Sequence, residues 1–404
     1  FPNGLRLVHY EDTSTQMVAL NIVYDVGARD EHPEHTGFAH LFEHLMFGGS
    51  AHIPDYDTPL QLAGGENNAW TNNDITNYYL TVPKPNVETA FWLESDRMLE
   101  LAFSEQSLEV QRGVVMEEFK QRCLNQPYGD VGHLFRPLAF RVHPYRWPTI
   151  GKELSHIEQA TLDEVKSFFY RFYAPNNAVL AVTGNISWDE TVKLTEKWFA
   201  PIPRRDVPVR QLPQEPEQTQ ERRLTVERNV PLDALFMGYH MCSREGADYY
   251  AFDILSDILS NGRSSRLNRR LVQEQNIFSG IDAYISGTRD AGLLQISGKP
   301  AAGVSLEQAE AAVRKELEEL QRSPVDGQEL EKVKNKFEST QIFGNINYLN
   351  VATNLAWFEL TGKAEDIDLE VERYRSVTTE QLHTVAQRTF CESNAVVLYY
   401  KSDK

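Results

Sequence analysis

Segments with two kinds of hydrophobic pattern follow one another along this chain. One kind has the period of a helix, and the other is a continuous apolar run typical of a buried strand. The stretch 161–173 repeats apolar residues every three to four positions, which predicts an amphipathic helix, and the apolar stretch 178–183 predicts a strand. The same order recurs near the C-terminus, with a predicted helix over 378–390 and a strand from 395 to 400. Each half also opens with two strand-like segments followed by a helix. This mixture predicts an α+β fold.

The two halves are related in sequence as well as in pattern. When Thr161 is placed against Thr378, the helix and strand of each half share five identical positions: Thr161/Thr378, Arg171/Arg388, Asn177/Asn394, Ala178/Ala395 and Val179/Val396. We therefore predict a duplication that produced two related domains. Each is expected to be a mainly antiparallel sheet with helices packed on one face.

A proline-rich segment separates the halves. Five prolines lie between 200 and 217 among many arginines, glutamines and glutamates, and prolines this dense exclude a helix or a central strand. We predict a first domain over 1–200, a linker over 201–222 and a second domain over 223–404.

The amino-acid composition indicates a folded globular protein and disfavours several other classes. Of 404 residues, 41% are hydrophobic and 24% are charged, as in folded globular proteins rather than disordered chains. The net charge of -18 disfavours binding to nucleic acid or anionic membranes, and no apolar stretch is long enough to span a bilayer. Three scattered cysteines indicate neither a disulfide framework nor a thiolate zinc site. A start at Phe1 suggests a mature or trimmed form of unknown compartment; a bacterial leader, if removed, would place it in the periplasm.

The segment 37–49 carries the strongest chemical signal. Its apolar residues have helical spacing, and glycines stand where the helix should end. On a helix, His40 and His44 lie one turn apart on one face, so both imidazoles can bind one metal ion. Glu43 lies near that face, where it can hold a metal-bound water in an H-x-x-E-H pattern. A histidine pair alone is more often structural, but a metal would satisfy polar groups that this apolar helix would otherwise bury unpaired.

A catalytic zinc site needs a third protein ligand from elsewhere in the chain. The stretch 107–122 predicts a long helix that carries two adjacent acids, Glu117 and Glu118. Either carboxylate could be the ligand, because the spacing alone does not distinguish them.

These motifs resemble those of the M16 metallopeptidases, the pitrilysin-like inverzincins that include the mitochondrial processing peptidase and insulin-degrading enzyme. The resemblance covers essentially the whole chain and implies two domains of the M16 (LuxS/MPP-like) type. Residues 37–49 are similar to the family's zinc helix, which implies His40 and His44 as ligands of one zinc ion and Glu43 as general base. Residues 111–118 are similar to the second motif, which implies Glu118 as third ligand. Gln111 replaces a glutamate that usually supports the ligands.

Two further segments bear on substrate and partners. The resemblance implies that Asn68, Ala69, Trp70 and Thr71 lie on the strand that pairs with substrate, because an edge strand can accept an extended peptide. Family members also use an Arg and a Tyr seven residues apart in a second-half domain. Here Leu271 and Phe278 stand at those positions, with Arg270 displaced by one. We therefore expect a homodimer or, preferably, a heterodimer with a second M16-like subunit that supplies the pair.

The sequence thus predicts a zinc-dependent endopeptidase that hydrolyses short or unfolded peptides in an enclosed chamber. One alternative is an M16-fold subunit kept mainly for assembly, active only with a partner or in support of one. Another is a binding protein with a structural zinc site. The presence of His40, Glu43, His44 and Glu118 together favours the peptidase, because structural zinc sites are usually closed by four ligands.

Overall fold

A computed structural model describes residues 1–403 and divides the chain into two compact units. The first unit comprises residues 1–124, 147–213 and 342–369. The second comprises residues 125–146, 214–341 and 370 onward. No helix among the described residues is both long and apolar enough to cross a membrane.

The first half of the sequence contains five strands and eight helices. In chain order they are β1 (Arg6–Glu11), β2 (Met17–Tyr24), α1 (Phe38–Leu45), α2 (Asp57–Leu62), β3 (Glu66–Thr71), β4 (Thr76–Pro83), α3 (Val87–Leu99), α4 (Glu105–Phe119), α5 (Val131–Ala139), α6 (Leu154–Glu158), α7 (Leu162–Phe172), β5 (Ala178–Gly184) and α8 (Trp188–Trp198).

The second half repeats the mixture. Its elements are β6 (Arg222–Arg228), β7 (Ala234–His240), α9 (Tyr249–Ser260), β8 (Phe278–Ile285), β9 (Leu293–Pro300), α10 (Leu306–Arg322), α11 (Gly327–Gly344), α12 (Tyr348–Thr361), α13 (Glu370–Ser376), α14 (Thr379–Thr389) and β10 (Ala395–Ser402).

The two sheets have the same topology. The first sheet has the order β1-β5-β2-β4-β3 and the second the order β6-β10-β7-β9-β8, each with one parallel pair and three antiparallel pairs. The matched helices α7 and α14 begin alike, because the hydroxyls of Thr161 and Thr378 each accept a bond from the backbone N–H three residues later. The predicted α+β fold with two related, mainly antiparallel sheets is confirmed.

A helix also covers the second face of the first sheet. Helix α12 packs its small side chains Ala352 and Ala356 against Ala19 and Ala181 of the central strands. Small residues on both sides let the helix approach the sheet closely, and the Thr183 hydroxyl donates to the α12 backbone at 2.6 Å. The first unit is therefore completed by a helix from the second half of the sequence.

The second sheet is covered in the same way by a helix from the first half. Phe135 and Ala139 of α5 pack against Val396 and Leu398 of β10 within the second unit. Gly238 of β7 makes room for this helix, since a Cβ there would lie 2.8 Å from the Phe135 ring. The sequence predicted helices on one face only, so this exchange of helices is an addition to the expected architecture.

The proline-rich segment is held in place by arginines. Residues 203–219 form neither helix nor strand. In the first unit, Arg205 donates to the Leu99 carbonyl at 2.6 Å, and Arg210 donates to the Asp30 carboxylate at 2.5 Å and the Asp25 carbonyl at 2.7 Å. The Arg210 bonds fix the loop that precedes α1, and the Arg205 bond ties the segment to the end of α3.

In the second unit, Glu310 of α10 forms the buried centre of a charge network. Its carboxylate accepts bonds from Arg223 at 2.8 Å, Arg314 at 2.7 Å and the Tyr399 hydroxyl at 2.5 Å. Burial alone would raise the pKa of Glu310, but these donors outweigh it and lower the pKa to about 2. The ionised carboxylate is therefore stabilised by folding.

We expect Glu310→Gln to lower the free energy of unfolding by on the order of 2–3 kcal/mol at neutral pH, since one pKa unit is worth about 1.4 kcal/mol. Because the folded pKa is depressed, this contribution is present above the unfolded pKa, about 4.5, and disappears as the pH falls towards 2. Denaturant unfolding of wild type and variant at pH 7, 5 and 3 measures the difference between their free energies of unfolding. Glu318→Gln, which breaks a surface pair with Arg322, is the matched control. A difference in the free energy of unfolding that stays constant down to pH 3 contradicts the prediction.

Candidate metal centre

Helix α1 presents one polar face because its other face is packed into the core. Phe38, Leu41, Phe42 and Leu45 are buried, and the Phe42 ring stacks on Phe168 with 5.0 Å between centroids. This packing fixes the rotation of the helix about its axis. His40, Glu43 and His44 therefore project together on the side away from the aromatic cluster.

Three side chains converge beside this face. The Glu118 Oε2 atom lies 3.5 Å from His40 Nε2 and 3.3 Å from His44 Nε2, and the two imidazole rings are 4.9 Å apart. A ligand atom from each residue lies within 4.8 Å of the others. Across residues 1–403, no other group of three His, Cys, Asp or Glu side chains comes this close together.

The structure distinguishes the two adjacent acids on α4. The Glu118 carboxylate faces both histidines, whereas the Glu117 carboxylate is largely exposed and pairs with Lys120 at 2.6 Å. Helix α4 continues into a π-helical turn over Lys120–Leu124. The geometry thus brings Glu118, the acid implied by the family resemblance, to the histidine pair.

The pKa shifts of His40 and Glu118 favour the metal-binding forms of these two groups. Burial lowers the pKa of His40 to about 4, although the nearby Glu118 carboxylate opposes this shift. The hydrogen bond from His44 lowers the pKa of Glu118, against the effect of burial. Metal ligands must be a neutral imidazole and an ionised carboxylate, and these shifts favour both forms at neutral pH.

Glu43 is half-buried and lies beside this cluster. Burial raises the pKa of its carboxyl group, and the Thr71 hydroxyl and His44 oppose the rise. The Thr71 hydroxyl oxygen is itself buried and has no hydrogen bond of normal geometry, yet it lies close to the Glu43 carboxylate. A carboxylate with a raised pKa is a better proton acceptor near neutral pH.

Sequence analysis missed one neighbour of the cluster. Arg122 donates to the Glu118 Oε1 atom at 2.8 Å, which leaves Oε2 facing the histidines. The sequence spacing could have indicated this pair, because an acid and an arginine four residues apart on a helix commonly form an ion pair. The amide nitrogen of Gln111, the residue that the family resemblance implies as a support for the ligands, lies near Gly48, 3.7 Å from where a Cβ would stand there.

The predicted substrate segment is strand β3, the edge strand of the first sheet. It carries Asn68, Ala69, Trp70 and Thr71 and pairs with β4 on one side. The Ala69 N–H is not part of that pairing, because it donates to the Asn68 side-chain oxygen at 2.8 Å. The outer edge of β3 therefore carries a backbone donor that the Asn68 side chain occupies and that a peptide could use if it displaced that side chain.

The two positions at which family members carry the Arg/Tyr pair lie in the hydrophobic core of the second unit. Leu271 and Phe278 are both buried among apolar side chains of the second unit. Arg270 is paired with Glu316 at 2.6 Å and also with Glu319. Leu271, Phe278 and Arg270 therefore all make contacts within the second unit that stabilise its fold.

The residues of the cluster fit a zinc ion. Two imidazoles and one carboxylate form the donor set of many catalytic zinc sites, which leave a fourth position for water or substrate. The carboxylate is ionised and His40 is neutral, as such a site requires. Glu43 lies next to the ligands without being one of them.

Two family models match the chain. Residues 6–130 match the insulinase model of peptidase family M16, and residues 159–337 match the model described as the peptidase M16 inactive domain. The metal cluster lies in the first of these segments. Within the part of the chain that the structure describes, the second segment has no comparable cluster.

Individual relatives match over the whole length. The zinc protease PqqE of Helicobacter pylori is 26% identical over 99% of this chain and 91% of its own length. A crystal structure of a protease from Helicobacter pylori, also 26% identical, superposes with a TM-score of 0.94 over 99% of this chain and 97% of that one. The fold also matches the Escherichia coli periplasmic protease PqqL with a TM-score of 0.81 at 19% identity, over 98% of this chain and 46% of that one.

The segment matched by the insulinase model contains the H-x-x-E-H helix and its acidic partner. The similarity extends over nearly the full chain, and the fold matches solved M16 structures. This chain belongs to the M16 peptidase family.

Proposed function

We propose that this protein is a zinc-dependent endopeptidase. In this proposal His40, His44 and Glu118 hold one zinc ion per chain, and Glu43 is the general base. The convergence of the three ligand atoms beside a half-buried glutamate, Glu43, carries the proposal. Membership of a peptidase family and relatives named as zinc proteases support it.

The residues around the cluster suit peptide-bond hydrolysis. When bound, zinc supplies a Lewis acid that polarises a carbonyl and makes water more acidic. The Glu43 carboxylate accepts the proton of the attacking water and returns it to the nitrogen of the leaving amine. The Thr71 hydroxyl lies beside that carboxylate and favours its ionised form. Arg122 holds the far oxygen of Glu118, so the near oxygen stays directed at the histidines.

Substrate would bind by adding a strand to β3. Backbone bonds of this kind depend little on side chains, so the site would accept extended peptides of varied sequence. Folded proteins do not offer such a segment. Short or unfolded peptides are therefore the proposed substrate class.

We expect Ala69→Pro to lower kcat/KM about 2- to 12-fold, because it removes one outward N–H worth about 0.5–1.5 kcal/mol as a hydrogen bond to substrate. Proline is tolerated on an edge strand where the N–H faces away from the sheet. Steady-state assays with a quenched-fluorescent peptide measure the change. Ala69→Val keeps the N–H and serves as the matched control. Equal losses in both variants would show that bulk, rather than the hydrogen bond, matters.

We further propose that the active form pairs with a second M16-like chain, as a homodimer or preferably a heterodimer, around an enclosed chamber. Burial of Leu271 and Phe278 supports this, since neither position presents an Arg or a Tyr to substrate. Light scattering and activity before and after addition of a candidate partner test the proposal. A fully active monomer contradicts it.

Zinc analysis combined with peptide hydrolysis, with and without chelator, tests the main proposal. One zinc per chain and activity that a chelator abolishes support it. Bound zinc without hydrolysis, either alone or with a partner, favours the assembly subunit instead. For location we propose the periplasm, the compartment named for PqqL, which cell fractionation tests.

A further inference from the structure

Helix α1 has no side-chain cap at its N-terminus. Its N-cap is Gly37, which has a φ of 87° and no side chain to accept a bond from the first turn. A β-carbon at Gly37 would lie 2.7 Å from Ile157 and 2.9 Å from the Ile150 carbonyl, so the site requires glycine. The first N–H groups of the helix must therefore find acceptors elsewhere.

Glu31 provides them from six residues upstream of the cap. Its Oε2 atom accepts from the Gly37 N–H at 2.9 Å, and its Oε1 atom accepts from the Ala39 N–H at 2.8 Å. The residue is only 7% exposed. One side chain thus holds the first turn of the helix that carries both histidines.

The segment that carries Glu31 is itself fixed at several points. The Asp30 carboxylate accepts from the Gly27 N–H at 3.0 Å and from Arg210. The Trp147 indole donates to the Ala28 carbonyl at 2.9 Å. Glu31 is therefore an anchored acceptor rather than a side chain on a loose loop.

We propose that Glu31 is a positioning residue, which sets the axial position of helix α1 and through it the placement of the His40 and His44 imidazoles. The inference rests on the proposed metal site. His40 follows Ala39 directly, so a shift of the first turn moves its imidazole relative to Glu118. Groups that orient metal ligands from outside the coordination sphere typically change metal affinity or activity 10- to 100-fold when they are replaced.

The role depends on two acceptor oxygens rather than on charge. Burial raises the pKa of Glu31 to about 8, although the bonds from Ala39 and Gly37 oppose this shift. A neutral carboxyl group still accepts on both oxygens. Glutamine has nearly the same shape but only one acceptor, so its NH₂ group would face a backbone N–H.

Glu31→Gln is expected to weaken zinc binding about 10- to 100-fold, as measured by competition with a chromophoric chelator. We also expect a changed visible spectrum after cobalt substitution, because the ligand geometry shifts. Glu310→Gln, which removes a buried acid from the charge network of the second unit, is the matched control and should leave zinc affinity within twofold. Should Glu31→Gln not fold by circular dichroism, Glu31→Asp retains both oxygens at a shorter reach and is measured instead.

The outcomes separate this inference from the proposed function. If wild type binds no zinc, the proposed function fails. If wild type binds zinc but the Glu31 variant binds it equally well with an unchanged cobalt spectrum, only the positioning role is overturned. Equal weakening in the Glu310 control would also overturn it, since general destabilisation would then account for the loss.

Discussion

Glu43→Gln is expected to keep its zinc and to lose peptide hydrolysis by about 10²- to 10⁴-fold, the usual contribution of general acid–base catalysis. The amide has nearly the shape of the carboxylate, so helix α1 keeps its packing. It cannot accept a proton from water near neutral pH. Since Glu43 lies outside the group formed by His40, His44 and Glu118, its replacement removes no ligand atom.

The measurement needs zinc content and turnover from the same preparation. Glu117→Gln is a suitable control, because Glu117 is an exposed acid paired with Lys120 and does not face the histidines. Hydrolysis by Glu43→Gln within a few-fold of wild type would remove Glu43 from the mechanism. Loss of zinc together with activity would instead show that the carboxylate helps to hold the metal.

Helix α1 and its polar face could be predicted because the pattern that specifies them is local. The spacing of His40, Glu43 and His44 and the apolar residues between them specify one helix face without reference to the rest of the chain. The same holds for the duplicated helices, whose start at Thr161 and Thr378 follows from a hydroxyl that caps the first turn. Periodicity and caps are properties of neighbouring residues.

Contacts that depend on how the chain turns and packs could not be predicted in this way. Glu31 caps α1 although nothing in its own neighbourhood marks it as a capping residue, because the Gly37 turn brings the two together. Helix α12 packs on the first sheet through Ala352 and Ala356. Small residues such as these allow a close approach, but they do not indicate which surface the helix will contact. The pattern of candidate ligands is therefore easier to predict from the sequence than the contacts that hold them in place.

The choice between the two acids on α4 shows where local information ends. Glu117 and Glu118 are adjacent, so no spacing rule separates them, and only the rotation of α4 against α1 does so. That rotation places Glu118 at 3.3 Å from His44 and leaves Glu117 with Lys120.

Glu118→Gln is therefore expected to weaken zinc binding by more than about 100-fold, beyond the effect typical of a group that only orients a ligand. An amide oxygen is a poorer donor than a carboxylate, and the cluster would lose the charge that stabilises a divalent cation. Glu117→Gln changes the same chemical group one residue away and should bind zinc like wild type. Chelator competition on both variants measures the difference, and the reverse result would move the ligand to Glu117.

Activity at high zinc concentration then separates a ligand from a base. Because Glu118→Gln retains Glu43, added zinc should restore part of its turnover as the weakened site fills. Glu43→Gln already holds its metal, so added zinc should restore nothing. If both variants respond alike to zinc, the division of roles between the two glutamates is wrong.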